Sequence, residues 1–145
     1  MFRGNYTAKV DAKGRVKIPS SLLAELREMG DEFYVTSENG DHARVYPMRV
    51  WNEIEERLAR LSSHNATKQK FLMRTSYYGQ AVKRDGQGRL LIPPVLREAA
   101  DMKGEVDVLG RLTYLEVWNH TRFMDSLRTN PITADDWKIL DDLGI

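Results

Sequence analysis

Arg15 and Arg89 each close a five-residue run of one design: Asp-Ala-Lys-Gly-Arg at 11–15 and Asp-Gly-Gln-Gly-Arg at 85–89. A guanidinium carries a planar fork of donors that fits phosphate oxygens and also the O6/N7 edge of guanine. The carboxylates upstream suit a different task. An acidic group facing phosphate is repelled, so Asp11 and Asp85 read as turn-shaping residues. Gly14 and Gly88 join them, because glycine tolerates the positive φ that a tight turn requires. Further basic residues crowd the runs: Lys9, Lys13 and Lys17 around the first, with Arg3 upstream, and Lys83 and Arg84 before the second. Together they form a candidate surface for a polyanion. A local role stands beside that reading. Each arginine could pair with its own aspartate and fix the turn, and the lysines could be ordinary solvated strand positions.

The two runs belong to a longer repeat. Residues 9–22, KVDAKGRVKIPSSL, and 83–96, KRDGQGRLLIPPVL, agree at seven of fourteen positions, at a constant offset of 74. Unrelated segments would agree at roughly one position in fourteen. A looser likeness joins RVYPMRVW (44–51) to EVWNHTRF (116–123). The pattern is an internal duplication of about 45 to 50 residues. Two copies are too few for a solenoid, so a pseudo-symmetric pair of small folds is expected.

Each copy spells the elements that would hold its motif. Residues 6–10 and 15–18 are short extended runs flanking the turn, which places Asp-x-x-Gly-Arg at a hairpin tip. A loop with glycine at its last position and arginine just after it puts a cation on a rigid stalk, narrow enough for a major groove. After Pro19, a helix over SSLLAELREM is capped by Ser20 or Ser21, presents Leu22, Leu23 and Leu26, and stops at Gly30. Strands follow at 32–36 and 43–46. Trp51, Ile54, Leu58 and Leu61 mark an amphipathic helix, and residues 65–78 form another that links the copies. The second copy repeats the order, with strands at 80–84, 89–92, 106–109 and 114–118, a helix from Pro93, and a last helix carrying Phe123 and Leu127. Beyond Thr129 a weakly structured acidic tail is expected, with one helical turn around Trp137.

Composition removes other chemistries. Hydrophobic residues make up 41% and charged residues 30%, a globular mixture. There is no cysteine, which excludes disulfides, thiol nucleophiles and Cys-ligated zinc and fits a cytoplasmic protein. No apolar run approaches the roughly eighteen residues of a membrane span, and MFRGNYTAKV lacks the apolar region of a signal peptide. His42, His64 and His120 show no metal-ligand spacing, Ser20-Ser21 has no nucleophile-elbow context, and no phosphate-loop glycine pattern occurs. Neither an enzyme, a cofactor nor a small-molecule substrate is implied. Trp51 and Trp118 read as packing anchors. Net charge is +1, but residues 3–17 hold five basic residues against one acidic, whereas residues 134–145 hold four aspartates and one lysine.

MFRG, DAKGRVKIP, VYP ahead of a tryptophan helix, RLSS, DGQGRLLIPPVLR and EVW together resemble the MraZ family of bacterial transcriptional regulators, over Met1 to about Leu127. The resemblance implies an α+β fold, a duplicated AbrB-like swapped-hairpin β-barrel of double-psi type with flanking helices. It divides the chain into a first half at 5–52, linking helices at 53–76, a second half at 77–127 and the tail at 128–145. It further implies a ring-shaped homo-oligomer in the nucleoid that binds short direct repeats in double-stranded promoter DNA, usually as repressor of its own cell-division and cell-wall operon. DNA contact falls on Arg15 and Arg89, with Lys13 as neighbour. The tips are unequal: Lys13 and Lys17 face Gln87 and Leu91 in the second copy. A rival reading is an antitoxin-type interaction module, since AbrB-like folds also occur in antitoxins that hold a toxin through an extended tail.

Overall fold

Val10 pairs with Val16 across the first turn, so polar–apolar alternation on either side of Asp11–Gly14 produces a hairpin of β1 (Asn5–Val10) and β2 (Arg15–Lys17). The computed structural model describes residues 1–145. After β2 come α1 (Ser20–Glu28), β3 (Glu32–Thr36), β4 (Ala43–Pro47) and α2 (Met48–Ala59). A linking helix α3 (Ala66–Tyr77) leads to β5 (Gln80–Lys83), β6 (Arg89–Leu91), α4 (Pro94–Ala99), β7 (Gly104–Arg111), β8 (Tyr114–Asn119) and α5 (His120–Thr129). A last helix, α6, spans Ala134–Asp142.

The strands do not form two separate folds. They make one antiparallel sheet in the order β5-β3-β4-β8-β7-β1-β2-β6. Strands of one copy lie against strands of the other: β1 on β7, β3 on β5, β2 on β6 and β4 on β8. Exchanging equivalent strands of the copies leaves the cyclic order unchanged once β5 and β6 are neighbours. The Asp85 N–H, which donates to the Arg89 carbonyl at 3.0 Å across the second turn, makes them so. The result is an α+β fold built on a nearly closed eight-stranded barrel of interleaved hairpins, as the resemblance implied.

Interleaving explains the repeated Ile-Pro-x-x-Leu. Ile18 and Leu22 of the first copy and Ile92 and Leu96 of the second are all buried in one core cluster, with Val16, Leu90, Phe33, Val106 and Val108. Each such side chain contributes on the order of 1.5–3 kcal/mol by leaving water. Pro19 and Pro93 end β2 and β6 and turn the chain so that the leucine three residues on points inward. Outside the barrel, α2 lies on β3 and β4, with Trp51 buried and stacked on Tyr34 at a ring separation of 4.6 Å. Trp118 stacks on His42 at 4.1 Å. Both tryptophans therefore pack as expected.

Three further expectations, besides the pair of separate folds, are corrected. No serine caps α1: Pro19 occupies the cap position in an extended conformation, its carbonyl accepts from Leu22 and Leu23 N–H, and Ser20 is already helical. Fixed proline φ supplies the entry geometry without a side-chain bond. Leu61 falls beyond α2, which ends at Ala59, and is exposed. The tail is not weakly structured. Thr133 and Asp136 make a reciprocal capping box that satisfies two orphan N–H groups, and nine residues of helix follow.

Leu90→Ala, at the seam between β2 and β6, should cost about 2–5 kcal/mol. Because both copies share one core, urea denaturation should show a single transition at a lower midpoint, and a biphasic curve would mean that the copies unfold separately.

Candidate nucleic-acid interface

The antiparallel β2–β6 pairing places Arg15 opposite Leu91 and Lys17 opposite Arg89. This register brings the two Asp-x-x-Gly-Arg turns edge to edge. Reciprocal backbone bonds tie each turn to the other strand: Ile18 N–H donates to the Gly88 carbonyl and Ile92 N–H to the Gly14 carbonyl, both at 3.0 Å. Gly14 and Gly88 take φ of +83° and +76°, the left-handed conformation the turn needs.

Each aspartate organises its own turn. Asp11 Oδ1 accepts from the Lys13 and Arg15 N–H groups at 2.9 Å each, and Oδ2 accepts from Arg15 Nε at 2.9 Å. Asp85 repeats the arrangement with the N–H groups of Gln87 and Arg89 at 2.9 Å and Arg89 Nε at 2.7 Å. The pairs are also crossed. Arg15 Nη1 lies 3.8 Å from Asp85 Oδ2, and Arg89 Nη1 lies 3.9 Å from Asp11 Oδ2. Four charges thus alternate in a ring across the pseudo-twofold, with side chains 27–33% exposed. The arginines are not free stalks. Each is held through Nε, and neither makes a hydrogen bond through its Nη atoms, which form the edge that accepts a phosphate or a guanine. The backbone N–H of Arg89, against the cost of partial desolvation, lowers the Asp85 carboxyl to about 2, and the Arg89 side chain adds to this. Asp11 is lowered for the same reason, chiefly by the Arg15 N–H.

The other basic residues divide. Lys13 is exposed on the first turn and Lys17 on β2 beside it. Lys9 and Lys83 sit opposite Glu105 and Glu32 in the strand register, so each has an acidic neighbour. Arg84 is half-buried; its N–H donates to the Asp31 carbonyl at 2.9 Å, and its Nη1 is buried with no hydrogen-bond partner. Arg3 precedes β1 at the other end of the barrel, about 26 Å of extended chain from Asp11 at ~3.3 Å per residue, and is not brought to the turns.

One residue of the site carried no signal in the motif. Arg97, on α4 of the second copy, lies over the first turn, where a Cβ added to Gly14 would run into its guanidinium. Its equivalent 74 positions earlier is Leu23, which covers Gly88 in the same way, 3.3 Å from where a Cβ would stand. The first turn therefore gathers Lys13 and Arg97, and the second Gln87 and Leu23. Only the interleaving puts a second-copy helix over a first-copy turn.

A family model described as "MraZ protein, putative antitoxin-like" matches residues 1–74 and 79–140. The chain belongs to the MraZ family. It is 50% identical to a protein of Koribacter versatilis (strain Ellin345) and 44% identical to one of Acidobacterium capsulatum, in both cases over all of each chain. A protein of Salmonella paratyphi B is 32% identical over 88% of this chain and 86% of its own. All three are named transcriptional regulator MraZ, a name that describes no enzyme. In this MraZ chain no helix is long and apolar enough to cross a membrane.

Gly14→Ala and Gly88→Ala should each cost on the order of 1–2 kcal/mol, from the left-handed backbone alone. Gly86→Ala, which meets nothing within 4 Å, should stay within about 0.5 kcal/mol; equilibrium denaturation separates the three. The depressed aspartates also set a pH window. The stabilisation from Asp85 is complete above the ordinary carboxylate value of 3.8 and is lost as pH falls through about 2, and Asp11, also lowered, acts in the same direction. Asp85→Asn should therefore flatten the fall in urea midpoint between pH 4 and pH 2.

Proposed function

We propose that this MraZ chain is a sequence-specific DNA-binding transcriptional regulator whose paired turns enter the major groove. The observation that carries the reading is the side-by-side pair of guanidiniums, each fixed through Nε by its own aspartate and with no hydrogen bond on its Nη atoms. A clamped arginine loses little conformational freedom on binding, and two of them at a fixed spacing can each read a guanine or grip a phosphate. Arg15 and Arg89 are the principal contacts. Lys13, Lys17 and Arg97 add phosphate attraction around the first turn, whereas Lys9, Lys83 and Arg84 border it and Arg3 stands apart. In line with the family resemblance, the regulator works as a ring-shaped homo-oligomer on tandem short promoter repeats, in the nucleoid, repressing its own cell-division and cell-wall operon. Repeated copies of a two-armed reader gain affinity on repeated sites through effective concentration.

The aspartates fit this function despite their sign. Each lies behind the arginine it holds, and the four-charge ring is neutral before the DNA arrives. Net attraction then comes from the residues around the ring, above all at the first turn.

In a mobility-shift assay with a promoter fragment carrying tandem repeats, Arg15→Ala/Arg89→Ala should lose at least about thirtyfold in affinity, at roughly 1–3 kcal/mol for each arginine, with the oligomer still assembled by light scattering. Unchanged affinity would sink the assignment. Lys13→Ala should lower the slope of log K against log salt by about one unit without altering the preferred sequence, and Gln87→Ala should leave the slope alone.

A further inference from the structure

α6 is a well-formed helix that contributes nothing to the buried core. No hydrogen bond or ion pair joins residues 131–145 to the rest of the chain, and no α6 residue is buried. At 100° per residue, Trp137, Ile139, Leu140 and Leu143 share one side, and Asp135, Lys138, Asp141 and Asp142 the other. Asp136 is turned back into the capping box. Trp137 is 48% exposed, Ile139 65% and Leu143 72%. Such a face demands a partner, because a short helix is marginal in water without one.

The duplication shows what kind of partner. α6 follows α5 as α3 follows α2. In the first copy α3 is anchored: Phe71 stacks over Trp51 at 6.3 Å, and the Thr75 carbonyl accepts from Tyr34 Oη at 3.0 Å and Thr36 Oγ1 at 2.7 Å. Between α2 and α3 runs an apolar groove of about 410 Å³, floored by Ile54, Leu58, Leu61 and Phe71 and rimmed by Arg57 and Lys68. Residues 48–77 carry six basic and three acidic side chains, one of the acids being Glu53, 3.9 Å from Arg57. Residues 134–145 carry four aspartates and one lysine. Groove and helix are thus complementary in both apolar character and charge, the pattern of helix-in-groove recognition. Within one chain no α6 residue lines the groove.

We propose that α6 of one copy seats in the α2–α3 groove of a second copy, head to tail, with Trp137 as the buried anchor. The proposal rests on the self-association included in the functional reading and specifies one of its joints. Every copy gives a helix and receives one, a heterologous contact that closes into a ring when the rotation permits. The acidic face of α6 lies along Arg57 and Lys68, and the apolar face covers Leu58, Leu61 and Phe71.

The chain contains no cysteine, which makes a clean test. Leu61→Cys and Leu143→Cys, placed in separately tagged full-length copies, are mixed and treated with a bifunctional maleimide, while sedimentation follows Trp137→Ala. Covalent pairs of one tag with the other, and self-association weakened at least about tenfold by Trp137→Ala, are expected. A link formed within one chain of the Leu61→Cys/Leu143→Cys double variant, with none between copies, would place α6 in its own groove and overturn the proposal. An assembled wild type that neither links between copies nor responds to Trp137→Ala would overturn it too, yet leave self-association standing. A wild type that is a monomer at all concentrations would remove both and leave the α6 face to a different protein, as in an antitoxin.

Discussion

Everything in this molecule depends on the pairing of two three-residue strands, β2 and β6. They come from equivalent places in the two copies and meet antiparallel, so the sheet can close only by joining one copy to the other. The same pairing sets the two turns side by side and directs Ile18 and Ile92 into a common core. A shift of one residue would turn Val16 and Leu90 to solvent and carry both arginines to the wrong face. Fold and candidate interface are therefore fixed by one register.

Charge in the turns follows an economical logic. An aspartate beside an arginine proposed to bind phosphate is at first sight a liability. Here the carboxylate accepts two backbone N–H groups and one Nε–H, so it first of all builds the turn that carries the arginine. The crossed contacts between turns then balance the ring. What remains for a ligand is geometry: two oriented Nη edges at a spacing set by the sheet. The barrel's other large charge cluster works differently. Burial opposes ionisation of Glu116, but contacts from His42 and Trp118 and the nearby Arg111 outweigh it and lower the carboxyl to about 2. There the charges hold β4, β8 and the loop before β4 together, and the acid is 3% exposed.

Pseudo-symmetry is informative where it fails. Lys13 against Gln87 is visible by aligning the copies. Arg97 against Leu23 becomes meaningful only when each helix is seen over the other copy's turn. α3 against α6 is the largest departure: one helix found its partner within the chain, and the other retains an exposed apolar face.

The sequence by itself determined most of the local structure. Period-two and period-3.6 patterns, proline and glycine punctuation and the duplicated motif located thirteen of the fourteen elements within a few residues, because these signals act over short distances along the chain. They also named the turn-builders Asp11, Gly14, Asp85 and Gly88 and the two arginines. They gave α6 only one turn around Trp137 in place of nine residues, because the capping box at Thr133 and Asp136, though legible, is overshadowed by the Asn-Pro break and the acidic composition. What only the tertiary structure decided was relative placement. That the turns touch, that each arginine is clamped and not projecting, that Arg3 is remote and that Arg97 arrives from the other copy all follow from interleaved strand pairing. Such pairing joins residues about 45 to 104 positions apart, and no local pattern encodes which strand lies beside which.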